Sequence, residues 1–98
     1  MAVQTRGGVP RVIPVPSVPT TGLNIQFRGR SNYLEIRNEG GTNALRVFFE
    51  SEADFATATN YVTVPINGTW VAPAKTDEIW LASAAGTTPA RVIVFHVT

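Results

Sequence analysis

The chain has 98 residues, with 8 basic and 7 acidic side chains, one histidine and no cysteine. A chain this short is one domain that buries only about 60–65% of the surface its unfolded form exposes. Disulfides are excluded, the thiolate and imidazole ligand sets of structural zinc cannot be assembled, and a formal net charge of +1 is not the basic footprint of a nucleic-acid binder. Of the usual reinforcements for a small core, association with other chains remains. No run approaches the roughly 20 apolar residues of a membrane-spanning helix. The start MAVQTRGGVPRV has no apolar signal-peptide core, so synthesis in a cytoplasm, away from membranes, is expected.

Residues 1–22 hold Pro10, Pro14, Pro16 and Pro19 among Val3, Val9, Val12, Ile13, Val15 and Val18, with Arg6 and Arg11 as the only charges. Proline fixes φ, lacks an N–H and pushes the preceding residue to extended backbone. RVIPVPSVP is therefore predicted to be polyproline-like or an edge strand, and neither a helix nor a central strand. It is too apolar for a solvating tail. The expectation is an extended N-terminal arm, residues 1–22, docked on a partner through Arg6, Val9, Pro10, Arg11, Val12, Ile13, Pro14, Val15 and Pro16. The body is residues 23–98, and it should fold without residues 1–20.

From residue 23 the pattern is β. LNIQF puts Leu23, Ile25 and Phe27 on one face, and YLEIR does the same with Leu34 and Ile36. The turn cluster Asn38-Glu39-Gly40-Gly41-Thr42-Asn43 leads into ALRVFFE, with Leu45, Val47 and Phe49 on one face, and residues 33–49 read as a β-hairpin. In that reading Glu35, Arg37 and Arg46 form a cross-strand charge ladder. SEADFATATN suits one helical turn, with Ser51 as the cap, or a loop. NYVTVP, Trp70-Val71 after the Asn67-Gly68 turn, EIWLAS and ARVIVFHVT supply four further strands. The fold expected is all-β: an antiparallel β-sandwich or jelly roll of about seven to eight short strands.

The final strand is apolar on both faces, Val92 and Val94 against Ile93, Phe95 and Val97. A sandwich strand needs only one such face. Ile93, Phe95 and Val97, together with Phe48 and Trp80 on outward-facing positions, are the candidate oligomer interface.

Residue groupings for chemistry are sparse. His96 has no nucleophile elbow or triad neighbour, and no catalytic, cofactor or metal site is expected. Glu50, Glu52 and Asp54 form an acidic cluster without the spacing of a calcium loop. Arg28-Gly29-Arg30 lacks the interleaved aromatics of a nucleic-acid site. Asn67-Gly68-Thr69 matches a glycosylation acceptor, yet an Asn-Gly turn accounts for it. Trp70, Trp80, Tyr33 and Tyr61 could make an aromatic platform for sugar rings.

The run from NYLEIRNEGG through LRVFF, NYVTVP, EIWLAS and the closing RVIVFHV, residues 32–97, resembles a recurrent small β-domain of tailed-bacteriophage virion proteins. The resemblance implies a non-enzymatic virion role. In that role a capsid decoration or cement subunit, made in the host cytoplasm, sits on the capsid surface as a homo-oligomer such as a trimer, and clasps capsid subunits through its N-terminal arm. Its partners would be the major capsid protein or other virion proteins, with no nucleic acid and no membrane. The alternatives are a phage neck, tail or fibre component, or a carbohydrate- or receptor-binding module.

Overall fold

Apolar–polar alternation becomes eight antiparallel strands in the computed structural model, which describes residues 10–96. They are β1 (Arg11–Val18), β2 (Leu23–Gln26), β3 (Ser31–Asn38), β4 (Leu45–Phe48), β5 (Val62–Val64), β6 (Thr69–Ala72), β7 (Glu78–Ser83) and β8 (Thr88–His96). Two four-stranded sheets form, one ordered β1-β8-β3-β6 and the other β2-β7-β4-β5. The strands pair as β1 with β8, β2 with β7, β3 with β6 and β4 with β5, as if one long hairpin had been rolled up. The joints β3–β8 and β4–β7 complete the sheets. This is the connectivity of an eight-stranded jelly roll.

The inward residues of both sheets make one layer of core. Val15, Val18, Leu34, Ile36, Val92 and Val94 come from the first sheet, and Ile25, Leu45, Val47, Val64, Ile79 and Leu81 from the second. Each fully buried aliphatic side chain contributes about 1.5–3 kcal/mol relative to exposure. Phe27, wholly buried just past β2, closes one end of the layer.

Two expectations change. The first concerns the arm. Residues 11–18 are β1, an edge strand of the sandwich, and Val15 and Val18 lie in the same core as the rest of the chain. The edge position suits Pro14 and Pro16, which have no N–H to donate outward, and a register shift between Val15 and Val18 absorbs the Pro16-Ser17 step. The unit therefore does not divide at residue 22. Arg6 and Val9 lie outside the described residues. The second change is that residues 33–49 are not a hairpin. β3 and β4 belong to different sheets, and the 39–44 segment arches from one to the other. Each strand is flanked by two others, so both are central, and direct β3–β4 pairing would leave one sheet without its joint.

Polar side chains knit the arches. Asn38, nearly fully buried, donates from Nδ2 to the carbonyls of Asn43 (2.9 Å) and Val64 (3.2 Å), and its Oδ1 accepts from the Gly40 N–H (2.9 Å). One side chain thus holds the arch and ties the first sheet to the second. In the 65–68 turn the Gly68 N–H donates to the Pro65 carbonyl at 2.8 Å, and Asn67 takes φ 56°, a region asparagine tolerates. At Gly22, φ is 93° and a β-carbon would overlap the Phe55 ring, so only glycine fits between β1 and β2.

Replacing Asn38→Ala leaves buried backbone groups unpaired, and a loss of about 1–3 kcal/mol is expected in urea unfolding. Gly22→Ala should cost at least about 1 kcal/mol. Removing residues 1–20 strips a strand and two core valines. The remainder should lose its cooperative thermal transition, and a sharp transition at the parent temperature would refute the placement of β1.

Candidate functional site

A sandwich has two outer faces, and this chain treats them differently. On the β2-β7-β4-β5 sheet the outward residues include Arg46 and Phe48 of β4 and Trp80 and Ala82 of β7, with Phe48 opposite Trp80 and Arg46 opposite Ala82. The 49–61 segment folds over them. Phe55 meets Phe48 edge-on at 4.9 Å, and Tyr61 packs on Phe48 at 5.3 Å. Phe48, Phe55 and Ala82 form a second buried cluster, with Trp80, Tyr61 and Ala58 against it. The Arg46 guanidinium lies 4.8 Å above the Tyr61 ring. The covering segment closes one turn, from the Ala58 N–H to the Asp54 carbonyl at 3.1 Å, and Asp54 Oδ1 caps the Ala56 N–H at 3.0 Å. Of the two readings foreseen there, the loop is the one found: it contains a single isolated turn, which Asp54 rather than Ser51 caps.

This corrects the expected interface. Phe48 points outward from its sheet, as alternation indicates, yet it is fully buried by its own chain, and Trp80 is half-buried beneath the same segment. The signal in the sequence is Phe55 and Tyr61, two large apolar side chains in an otherwise polar loop.

Nothing in the described residues covers the outer face of the β1-β8-β3-β6 sheet. Its rows follow from the register. One row runs Val12, Ile93, Glu35, Val71 across the four strands. The next, towards the 39–44 arch, runs Pro14, Arg91, Arg37, Thr69. At the opposite end Phe95 lies beside Tyr33, ring centroids 5.9 Å apart and edge-to-face. Val12, Tyr33 and Val71 are three of the five large hydrophobics exposed among the described residues, at 50%, 38% and 43%. Ile93 and Phe95, foreseen as interface, do lie on this face and are half-buried, whereas Val97 lies outside the described residues. Sequence reasoning missed Tyr33 and Val71, because it had no way to know which strands neighbour β8.

The charges on this face pair within it. Arg37 Nε meets Glu35 Oε2 at 2.5 Å, and Arg91 Nε lies 3.3 Å from Glu39 Oε2. Arg46, expected to join that ladder, is on the other sheet.

Of the remaining foreseen arm contacts, Val12, Pro14 and Pro16 are exposed, Ile13 packs on the core, and Pro10 lies just before β1. Arg11 reaches around to donate from Nη1 to the Phe27 carbonyl at 2.9 Å. His96 Nε2 lies 3.0 Å from the same oxygen, which can only accept, so that nitrogen carries the proton. These side chains tie the first and last strands to the corner at Arg28, whose φ is 58°. The four aromatics of the supposed platform are dispersed. Trp70 packs on the core and against Phe49, Trp80 and Tyr61 lie under or beside the covering segment, and Tyr33 is on the opposite face. The described residues enclose no pocket and hold no cluster of three metal-ligating side chains.

Against protein-family models, curated proteins and solved structures the chain has no match.

Phe55→Ala tests the covering role. It should lower unfolding stability by about 3 kcal/mol and shift Trp80 emission to longer wavelength. An unchanged spectrum with unchanged stability would show that the segment does not shield the sheet.

Proposed function

We propose that this protein is a non-enzymatic structural subunit of a virus particle, a decoration or cement protein that sits on the capsid surface as a homo-oligomer. The observation that carries the reading is the unequal treatment of the two sheets. The chain's own 49–61 segment covers the middle of one outer face, and on the other no described residue covers Val12, Tyr33, Val71 and the half-buried Ile93 and Phe95. Large apolar side chains grouped on one sheet face of a small domain favour a role in association. The jelly roll serves capsid proteins, lectins and cupins alike, so the fold alone selects no function. The likeness of residues 32–97 to small virion β-domains supports the capsid choice.

Attachment in this reading runs through faces rather than edges. β1 is interrupted by Pro14 and Pro16, β5 is three residues long and followed by Pro65, and β6 is followed by Pro73. Short or proline-bearing edges disfavour strand addition. The major capsid protein or another virion protein is the partner, and repeated weak contacts around a closed oligomer add through effective concentration.

Quantitative mass spectrometry of virus particles purified from cells that produce this protein is the test. Hundreds of copies per particle are expected. Six or twelve would move it to the neck or tail, and its absence from particles would overturn the proposal.

A further inference from the structure

The outer face of the β1-β8-β3-β6 sheet, which no described residue covers, has a pattern that one occupant satisfies. We infer that it is covered by a second copy of this chain, related by a two-fold axis that crosses the strands between the Val12–Ile93–Glu35–Val71 row and the Pro14–Arg91–Arg37–Thr69 row. The inference deepens the proposed function by naming the partner of its association surface.

A two-fold contact is isologous: if residue i meets j of the partner, j meets i. An axis running across the strands lays each row on the other and keeps every strand over its own counterpart. Glu35 then faces the partner's Arg37, and Arg37 the partner's Glu35. The same operation sets Val12 against the partner's Pro14, Ile93 against the aliphatic stem of the partner's Arg91, and Val71 against the partner's Thr69. One row further out, Tyr33 comes over the partner's Glu39, and a phenol hydroxyl is a donor to a carboxylate. An axis parallel to the strands fails. Passing between β8 and β3, it would oppose Arg91 to the partner's Arg37 and Ile93 to the partner's Glu35.

Glu35 and Arg37 stand nearest the axis, where two twisted sheets packed at about 30° remain in register. Arg37 uses only Nε on its own Glu35. A guanidinium has further N–H donors in a fixed fork. Two copies therefore build a ring of four alternating charges, and such a network holds better than an isolated surface pair. Strands about 4.8 Å apart, with same-face residues about 6.8 Å apart, give the face roughly 500 Å² of flat area. Two copies bury about 1,000 Å² or somewhat more, the low end for a specific interface. The dimer should therefore be reversible, dissociating in the micromolar range.

Sedimentation velocity on the full chain across a concentration series tests this. The parent should move from monomer to dimer, and Ile93→Asp should weaken the dimer by at least about tenfold with an unchanged far-ultraviolet circular dichroism spectrum. Glu35→Arg alone and Arg37→Glu alone should each be monomeric at concentrations where the parent is dimeric. Mixed in equal amounts, the two variants should form a dimer, because every cation of one then faces an anion of the other. No pairing within a single chain yields that rescue. A parent that stays monomeric to hundreds of micromolar overturns the inference, as does a mixture that fails to associate or an oligomer indifferent to Ile93→Asp. A monomer that nonetheless loads onto capsids would put a capsid protein on this face and overturn the inference while leaving the proposed function standing. A dimer absent from particles would do the reverse.

Discussion

A strand in a sandwich has two faces and one core to give them to. Ten or so ångströms separate packed sheets, enough for one interdigitated layer of side chains, and here that layer holds the inward residues of both sheets, from Val15 in β1 to Val94 in β8. The remaining apolar residues fall on the outer faces, where they must be covered or displayed. On one sheet the 49–61 segment lays Phe55 over Phe48, and Gly22 leaves room for that ring at the β1–β2 turn. On the other, nothing among the described residues performs that task. The open face is thus what is left, among the described residues, when a small chain has spent its own loop on the opposite side.

The rolled-up pairing also decides where the ends and edges go. β1 and β8 lie side by side, so residues far apart in the chain share the Phe27 carbonyl through Arg11 and His96. The arches between sheets are held by few buried polar groups. Asn38 bridges β3, the 39–44 arch and β5. Ser31 donates to the Ala74 carbonyl at 2.5 Å and accepts the Thr76 N–H at 3.0 Å. Ser83 donates to the Ala85 carbonyl and pairs with Thr88, both at 2.6 Å, to close the β7–β8 turn. Each satisfies backbone groups that leave a sheet and would otherwise be buried without partners. With edges short or proline-bearing, the broad uncovered sheet face is the surface best suited to contact another molecule.

On that face apolar side chains alternate with paired charges of both signs. The Glu35 carboxylate beside Val12, Ile93 and Val71, and the guanidiniums of Arg37 and Arg91 in the next row, add little to the stability of one chain, and a like charge brought opposite any of them would be costly.

The all-β class, the number of strands, the inward residues of most of them and the turn at 67–68 were legible in the residue pattern. A period of two and the φ preferences of glycine, asparagine and proline are properties of a segment and its immediate neighbours. The prolines of RVIPVPSVP correctly spoke of an extended edge segment. What they could not say is that Val15 and Val18 face the common core, since that depends on pairing with a strand some 75 residues away. For the same reason β3 and β4 looked like a hairpin, Arg46 like a partner of Glu35, and Phe48 like exposed surface. Alternation tells which residues share a face of a strand. Only the tertiary structure decides which strands lie beside it and what lies on top, because loop-closure entropy grows slowly with length and leaves many pairings open until the whole core chooses among them.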